Sequence, residues 1–414
     1  MKVPLKAEAL VHGGEALARH EGRVVFLRGA APGDTVEAEL TGEGRFERAR
    51  ALRVLERGGA RVDPPCPIVE RCGGCPVQQV AYEAQLAAKQ ALTADALERI
   101  GGFPKGSYEL FPIVPSPLQF HYRRRARLHR ASGGAWGFAQ AGSPAVEPVE
   151  TCLLFEPLLQ QLADLAGSAG DLPGVDDLGL LAGETKGAID LRVRGAVTAG
   201  LRKRVEKLLE HRLVRGVTVG GAPSGDPAIP DPPLPNGARL RARPDTFAQA
   251  NRTMVPLLQR EAARAVGDSP RVLELFCGSG TLTLPLLGPG RQMTAVESAG
   301  PALALLRRSA DEAGLAVKLI AGDAAEVSRS FGDPVDAVLL DPPRTGAAEV
   351  VRSLAGLRAP RIVYVSCDAP TLARDGKLLA QAGYRLLQAV PLDLFPQTAH
   401  FEVVATFQRC SCCR

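Results

Sequence analysis

The 414-residue chain has no uninterrupted apolar run near the roughly 18 residues that a membrane-spanning helix needs, which excludes a protein anchored by such a helix. Its N-terminus lacks the apolar stretch of a signal peptide, so a cytoplasmic location is expected. Lysine is scarce, since nine of the 50 basic residues are lysine and the other 41 are arginine. Arginine suits phosphate contacts, although a GC-rich genome produces the same excess, and a net charge of +5 permits a nucleic-acid partner without requiring one.

The composition is that of an ordinary globular protein. It is 45% hydrophobic and 23% charged, and Gly 44 and Pro 33 together make up about a fifth of the chain, short of the low-complexity range. This excludes collagen and wholesale disorder, and the length suggests two or three domains. Nine cysteines without an export signal are not expected to form disulfides, so grouped thiols suggest a metal and single ones a core or catalytic role.

Residues 1–58 are predicted to form a small β-barrel. The segments GRVVFL (22–27) and TVEAEL (35–40) are rich in strand-forming residues, and glycine turns at 29–33 and 42–44 separate the strands. An arginine-dotted barrel of this size suits an OB-like RNA-binding module, although many small barrels bind proteins instead.

Residues 59–243 are predicted to form a mixed α+β central domain. A helical stretch covers 77–103 and is a candidate to pack on the domain that follows, and short strands include FHYRRRARLHR (120–130). The arginines of that run either contact RNA or form a solvated strand face. The segment 220–237 is rich in glycine and proline and predicts a long loop or an interdomain connection.

From residue 244 to 414 apolar strands alternate with helical patterns. This alternation predicts an α/β Rossmann-like, mostly parallel sheet that binds its ligand at the carboxyl ends of the strands. The last strand follows a helix-poor stretch, so an antiparallel orientation is open for it. The predicted strands are 271–276, 293–297, 317–321, 335–340, 361–366, 384–390 and 400–407.

A nucleotide-like cofactor is predicted at the first turn of this domain. Gly278 and Gly280 follow the strand RVLELF and are expected to precede a helix, and Glu297 at the next strand end suits the ribose hydroxyls. Asp323 ends the third strand, where an adenine would lie. The third glycine of a dinucleotide motif is missing, which favours S-adenosyl-L-methionine over NAD.

Three chemically active side chains are expected at the same sheet edge. Cys367 directly follows the strand RIVYVS, and Asp341 ends VDAVLL before two prolines. Glu402 lies in the last strand, with His400 on the same face by strand alternation. A single cysteine is more often a buried apolar group, but two carboxylates beside a methyl-donor pocket favour catalysis here.

Five segments together resemble one enzyme family. VLELFCGSGTLTL, LLDPPRTG, VYVSCDAPTLARD and FPQTAHFE resemble the four motifs of the RNA 5-methyluridine (uracil-C5) methyltransferases, and CPIVERCGGCPVQQ resembles the iron–sulfur motif of the ribosomal branch. The N-terminal barrel resembles that family's TRAM domain. The resemblance implies a class I methyltransferase domain that uses S-adenosyl-L-methionine on RNA.

The resemblance also implies residue roles. Cys367 would be the nucleophile that adds to C6 of uracil, and Glu402 the base that removes the C5 proton. Asp341 would contact both the cofactor and the uracil, and Gln249 and Phe276 would complete the cofactor site. The family's usual Cys-Asn-Pro is replaced here by Cys-Asp-Ala-Pro (367–370), which is interpreted as a local variant.

Four cysteines form a candidate metal site. Four thiolates suit either structural zinc or a [4Fe–4S] cluster, while the spacing is unusual for a zinc ribbon and differs from that of radical S-adenosyl-L-methionine enzymes. The resemblance favours the [4Fe–4S] cluster, in a structural or RNA-positioning role. These residues are Cys66, Cys72, Cys75 and Cys152, whereas Cys410, Cys412 and Cys413 are interpreted as part of a frayed terminus.

The predicted function is C5 methylation of one uridine in RNA through a covalent cysteine adduct. 23S rRNA is the favoured substrate, because a TRAM domain with a cluster is typical of the ribosomal members, and the T-loop uridine of tRNA is the second candidate. Neither a membrane nor an obligate protein partner is expected. An NAD-dependent oxidoreductase and an inactive RNA-binding protein on the same scaffold are two competing hypotheses from different functional classes.

Overall fold

The computed structural model describes residues 1–41, 46–170 and 172–410. Six strands form the N-terminal sheet in the order β1-β5-β6-β4-β3-β2. They are β1 (Lys2–Lys6), β2 (Ala9–Leu10), β3 (Ala16–His20), β4 (Arg23–Arg28), β5 (Thr35–Leu40) and β6 (Glu47–Glu56). Because β1 and β2 are consecutive in the chain but pair with opposite edges, they close the sheet into a barrel. The OB-like barrel is therefore confirmed, although its predicted turn at 42–44 lies outside the described residues.

The helical stretch after the cysteine group begins later than its sequence pattern suggests. It consists of α1 (Tyr82–Asp95) and a π-helical turn (Ala96–Ile100), whereas residues 77–79 form turns and Val80 forms an isolated β-bridge with Arg61. Val77 and Val80 are buried with Leu10 and Ala31 of the barrel, so tertiary packing replaces helix formation there. Leu97 and Phe103, at the far end of the stretch, are buried in the core of the C-terminal domain.

The central domain is built on a seven-stranded sheet with the order β10-β9-β8-β11-β12-β13-β14. Helices α2 (Pro157–Ser168) and α3 (Ala199–Glu210) cover it, and leucines such as Leu159, Leu162 and Leu201 fill the core between them. The strands are β8 (Arg125–Arg130), β9 (Trp136–Ala139), β10 (Val146–Pro148), β11 (Val175–Ala182), β12 (Gly187–Val193), β13 (Val214–Val219) and β14 (Ala222–Gly225).

Two expectations for the central domain are wrong. The proline-rich segment 220–237 is not a long loop, since it contains β14 and β15 (Ile229–Pro233), which pairs with β16 (Arg239–Ala242). Proline is tolerated there because these are edge strands. The run 120–130 is a strand only from Arg125 onward, and Arg124 is not a surface RNA contact, because its side chain is buried in an ion pair with Asp231.

The C-terminal domain has the predicted alternating architecture. Its sheet order is β19-β18-β17-β20-β21-β23-β22-β7, where β7 (Glu109–Leu110) adds an edge strand from the preceding region. The strands are β17 (Arg271–Leu275), β18 (Gln292–Glu297), β19 (Lys318–Ala321), β20 (Ala337–Leu340), β21 (Arg361–Ser366), β22 (Tyr384–Leu392) and β23 (Glu402–Arg409). β17 to β21 are parallel, and β23 is antiparallel to both of its neighbours.

Helices cover both faces of this sheet, which explains its nearly continuous apolar strands. The helices are α4 (Val255–Val266), α5 (Gly300–Glu312), α6 (Ala324–Ser330), α7 (Ala348–Leu357) and α8 (Ala369–Gln381). Residues of α4 and α5 pack in one core, and residues of α6, α7 and α8 pack in the other. The doubly wound Rossmann-like class is confirmed, and the carboxyl ends of β17, β18, β20 and β21 meet at one edge.

The prediction of a helix directly after the glycine turn is wrong. After Gly280 the chain makes turns and one short 3-10 helix at Leu284–Leu286. Pro285 has no N–H to donate, and Gly288, Pro289 and Gly290 follow at once, so a helix cannot continue.

Candidate active site

The glycine turn after β17 is tied to the end of β18. The backbone N–H of Gly278 donates a 2.9 Å hydrogen bond to Glu297 Oε2, and the N–H of Ala299 donates to Oε1 at 2.7 Å. Phe276 and Gly278 both have positive φ angles, 63° and 55°. The Glu297 carboxylate is therefore fixed at the sheet edge. Its Oε1 also accepts from Ser298 Oγ at 3.3 Å, whereas Oε2 retains a lone pair for a ligand hydroxyl.

Gly280 is required by packing as well as by its backbone conformation. Its φ is +91°, and a Cβ at this position would lie 2.5 Å from Cδ1 of Leu306 in α5. The turn therefore packs directly against α5 and leaves no room for a side chain at Gly280.

Asp323 has a structural role that its position at a strand end did not reveal. Its Oδ1 accepts the backbone N–H groups of Ala325 at 2.8 Å and Glu326 at 3.0 Å. Asp323 is thus the N-cap of α6, which satisfies two backbone donors at the helix start. Its contact with a cofactor stays a prediction.

Gln249 is held in a buried loop between the central and C-terminal domains. Its backbone carbonyl accepts a 3.1 Å hydrogen bond from Arg124 Nε. Nearby, the Asn251 amide donates to Ser116 Oγ at 3.1 Å and to the Leu394 carbonyl at 3.0 Å. The side-chain Oε1 of Gln249 is buried without a hydrogen-bond partner. An unpaired buried acceptor is costly, so this atom is suited to accept from a ligand.

Cys367 lies in a tight turn between β21 and α8. Ser366 Oγ donates to the carbonyl of Asp368 and accepts from its N–H, both at 3.1 Å. Asp368 Oδ1 accepts the Thr371 N–H at 2.9 Å and so caps α8. The Asp368 carboxylate therefore caps α8, and these hydrogen bonds fix the turn around Cys367.

The predicted residues converge because Asp341 follows β20, Cys367 follows β21 and Glu402 begins the antiparallel β23, and these three strands are neighbours in the sheet. Burial raises the pKa of the Cys367 thiol to about 11, and the nearby charges of Glu402 and Asp341 add to that shift. Burial raises the pKa of Asp341 to about 7. Burial, together with the charge of Asp341, raises the pKa of Glu402 well above its usual range. Glu402 Oε2 is buried without a partner. The structure thus brings one thiol and two buried carboxyl groups to one sheet edge.

Arg344 is the residue of this group that sequence reasoning did not assign. It lies in the turn after Pro342 and Pro343, and its positive charge lowers the pKa of both Cys367 and Glu402 against the burial effect. It is therefore the cation that favours the thiolate form of Cys367. The signal was available, because Arg344 stands within the motif LLDPPRTG.

His400 does not follow the alternation argument, because β23 begins only at Glu402. Its side chain nevertheless lies within reach of the charges of Arg344 and His12. Burial, with the positive charges of Arg344 and His12, lowers the pKa of His400 to about 4. His400 is therefore neutral at physiological pH.

Glu274 is a second residue that the sequence analysis overlooked. It lies inside β17, where burial raises its pKa to about 8 and the nearby Asp341 adds to the shift. Its Oε2 is buried without a partner. The signal was an acidic residue flanked by apolar ones in VLELF (272–276), which is unusual for a core strand.

The four predicted metal-ligating cysteines line one pocket of the central domain, together with Arg123. All four are free thiols, and burial, together with the charges of the other three, raises the pKa of Cys75 to about 12. Within the described ranges, however, no group of three or more His, Cys, Asp or Glu side chains is arranged to hold a metal ion. The metal cluster therefore stays a prediction.

Comparison with known proteins decides the family. The model of the tRNA (uracil-5-)-methyltransferases matches residues 237–409, and the TRAM domain matches residues 2–43. The chain is 32% identical to the 23S rRNA (uracil(1939)-C(5))-methyltransferase RlmD of Dechloromonas aromatica, over 97% of this chain and 99% of the relative. The chain belongs to the S-adenosyl-L-methionine-dependent RNA (uracil-5-)-methyltransferase family.

Other members of the family agree with this assignment. RlmD of Pseudomonas entomophila is 35% identical over 98% of this chain and 94% of its own length. The fold also matches the solved structure of Pyrococcus abyssi tRNA (uracil-54, C5)-methyltransferase in complex with S-adenosyl-L-homocysteine. That match has a TM-score of 0.76 at 22% identity and covers 97% of this chain and 99% of that one. Membership in this family rules out the NAD-dependent oxidoreductase.

No helix in the described part of the chain is both long and apolar enough to cross a membrane.

Proposed function

We propose that this chain methylates C5 of one uridine in 23S rRNA through a covalent bond between Cys367 and the uracil. The proposal is supported by the convergence of Cys367, Glu402 and Asp341 at the adjoining ends of three neighbouring strands, on the same sheet edge as the glycine turn. The ribosomal substrate is favoured because the curated relatives named RlmD match nearly the whole chain. tRNA is the second candidate, since the matching family model and the similar solved structure are named for tRNA. A cytoplasmic location is part of the same proposal.

The glycine turn is the proposed cofactor site. Bound S-adenosyl-L-methionine supplies a methyl group on a positively charged sulfur. Glu297 accepts hydrogen bonds from ribose hydroxyls, and the buried Oε1 of Gln249 accepts a hydrogen bond from a donor group of the cofactor. The backbone at Gly278 and Gly280 leaves room for the ligand, and Phe276 and Asp323 flank it.

The uracil is activated by the thiol. C5 of uracil is a poor nucleophile, but addition of the Cys367 thiolate to C6 pushes an electron pair into the ring and makes C5 electron-rich. The new C5–methyl bond forms as the methyl–sulfonium bond breaks. Arg344 favours the thiolate that begins this sequence, because its charge lowers the pKa of Cys367. Asp341 holds the uracil edge.

The adduct is resolved by a base. Glu402 takes the proton from C5, the C6–sulfur bond breaks, and its electron pair returns to Cys367 as thiolate. The buried, partnerless Oε2 of Glu402 is suited to this step. Burial and the neighbouring Asp341 raise the pKa of Glu402, which makes the ionised carboxylate a stronger base than an exposed one.

The cysteine pocket is the proposed site of a [4Fe–4S] cluster held by Cys66, Cys72, Cys75 and Cys152. A cluster with four thiolate ligands is anionic, and Arg123 lines the same pocket with its Nε buried and without a partner. This atom is placed to donate to a thiolate or sulfide sulfur. Four thiolates would also suit one zinc ion, and analysis of the bound metal distinguishes the two. The cluster's role would be to hold the central domain together.

The function is tested by mapping 5-methyluridine in rRNA and tRNA from cells with and without this protein. The proposal expects one 5-methyluridine in 23S rRNA to disappear without the protein and to return with the wild-type chain but not with Cys367→Ala. If the lost methyl group is in tRNA, the second candidate is correct. If neither RNA changes, the proposed function is wrong.

A further inference from the structure

The N-terminal barrel reaches the turn that carries Cys367. His12 lies in the loop between β2 and β3, and its Nε2 is 3.2 Å from Asp368 Oδ2. Asp368 is the residue directly after Cys367, so the barrel's side chain contacts the immediate neighbour of the proposed nucleophile. The proposed function gives this contact no role.

The barrel loop is also fixed to the catalytic domain by close packing. Gly14, with φ +85°, lies so near Val77 and Ala399 that a Cβ would come within 3.0 Å and 3.2 Å of their side chains. Ala399 stands three residues before Glu402. The loop that carries His12 therefore packs against the segment that leads into the proposed base.

The two oxygens of Asp368 have different partners. Oδ1 accepts the Thr371 N–H and caps α8, whereas Oδ2 faces His12. The carboxylate thus joins the first turn of α8 to the barrel. An amide, the usual residue of the family at this position, would present two N–H donors or one acceptor to His12 and could not form an ion pair with it.

We propose that His12 and Asp368 are positioning residues that lock the Cys367 turn to the RNA-binding barrel, so that the nucleophile is correctly placed only when the barrel is docked. The inference rests on the proposed role of Cys367. It gives the carboxylate at position 368 a charged partner, and it makes the barrel part of the catalytic geometry.

The charges facing the pair come from several elements. Arg344 opposes protonation of His12, whereas the hydrogen bond and charge of Asp368 raise the pKa of His12 above its usual range. His400 also faces His12 but stays neutral near pH 7. The hydrogen bond from His12 holds the pKa of Asp368 well below its usual range.

These shifts set the pH window of the lock. The contribution of Asp368 is complete above its unfolded pKa of about 3.9 and is lost as pH falls through its lowered folded pKa. The contribution of His12 is complete below its unfolded pKa of about 6.5 and is lost as pH rises through its raised folded pKa. The ion pair is therefore strongest in mildly acidic solution and weakens above neutral pH.

The test is a double-mutant cycle with His12→Ala, Asp368→Asn and the combined variant, with His20→Ala in β3 as the matched barrel control. Each is measured for kcat and KM on the RNA substrate and for the rate at which iodoacetamide alkylates Cys367 without RNA. The single variants are expected to lower kcat on the order of 10- to 100-fold, since a misplaced reacting group costs that much, with little change in KM. The combined variant should lose no more of its kcat than either single variant does.

The pH profile gives a readout that a structural role would not move. The ratio of wild-type to Asp368→Asn turnover is expected to fall as pH rises through the raised pKa of His12, while His20→Ala keeps the wild-type profile. Additive losses of kcat, or wild-type kcat and alkylation rates in both single variants, would refute the positioning role of His12 and Asp368. If the wild-type chain itself leaves uridine unmethylated, the proposed function fails instead, and the alkylation rates still decide whether the pair positions Cys367.

Discussion

The backbone N–H of Gly278 donates a 2.9 Å hydrogen bond to Glu297 Oε2, so the glycine turn after one strand and the acidic end of the next are held as a unit. The other oxygen, Oε1, accepts the N–H of Ala299 at 2.7 Å, so the carboxylate is held through both of its oxygens. Because β17, β18, β20 and β21 are parallel, this carboxylate lies at the same carboxyl edge of the sheet as Cys367.

Replacing Glu297 tests the cofactor site. Glu297→Ala removes two charge-assisted acceptors, each of which contributes about 1.5–3 kcal/mol, so the Kd for S-adenosyl-L-methionine is expected to rise at least ~10-fold. Isothermal titration calorimetry measures the change. Glu349→Ala, at an exposed ion pair of α7, is the control and should bind normally. Unchanged affinity in Glu297→Ala would refute the assignment of this carboxylate.

The packing of Gly280 predicts opposite effects of the same substitution at two glycines. Gly280→Ala is expected to destabilise the protein by about 1–3 kcal/mol, because the new Cβ overlaps Leu306 and φ is +91°. Gly356→Ala, inside α7 with open space around the position, should stabilise it by about 0.5–1 kcal/mol. Thermal unfolding measures both. Equal shifts of the two midpoints would contradict the proposed close approach of the turn to α5.

The raised pKa of Cys367 predicts how its alkylation rate changes with pH. Because its pKa is raised to about 11, the thiolate fraction and the alkylation rate should increase about tenfold per pH unit between pH 7 and pH 9. Arg344→Gln should slow alkylation on the order of tenfold, since the opposing positive charge is lost. Peptide mass spectrometry separates Cys367 from the other thiols, and Arg329→Gln on α6 is the control. A rate that is flat across this range would mean that the thiol is already ionised.

The cysteine pocket predicts a defined metal content. Protein purified without oxygen is expected to contain about four irons and four sulfides per chain. Cys75→Ser should lose most of that iron, whereas Cys410→Ser, near the end of the chain, should retain it. Elemental analysis measures both variants. One zinc per chain without iron would contradict the cluster.

The sequence predicted the structure best where the local preference of a segment agrees with the packing of that segment in the fold. The strands of the C-terminal domain are apolar runs bounded by turns, which is the pattern of a parallel sheet covered by helices on both faces. Their predicted positions were confirmed to within a few residues. The positions of Cys367, Asp341 and Glu402 followed from the strand ends on which they lie. The barrel was predictable for a similar reason, because its strands alternate buried and exposed residues.

The errors came from contacts between distant parts of the chain. Val77 and Val80 fit a helical pattern but are buried against the barrel, so the helix starts at Tyr82. Arg124 belongs to a basic run but is buried with Asp231, a partner 107 residues away. Arg344 and His12 were overlooked because their importance depends on which side chains face them. Cys412 and Cys413 lie outside the described residues.

The most direct test of the proposed mechanism is whether a cysteine–uracil bond accumulates when Glu402, the proposed base, is replaced. Glu402→Gln is incubated with substrate RNA and S-adenosyl-L-methionine, and the products are separated on a denaturing gel, with Glu349→Gln as the control and the Cys367→Ala, Glu402→Gln double variant beside it. A protein–RNA band is expected with Glu402→Gln alone, and mass spectrometry should map the bond to Cys367. Normal turnover by Glu402→Gln without such a band, or the same band in the double variant, would contradict it.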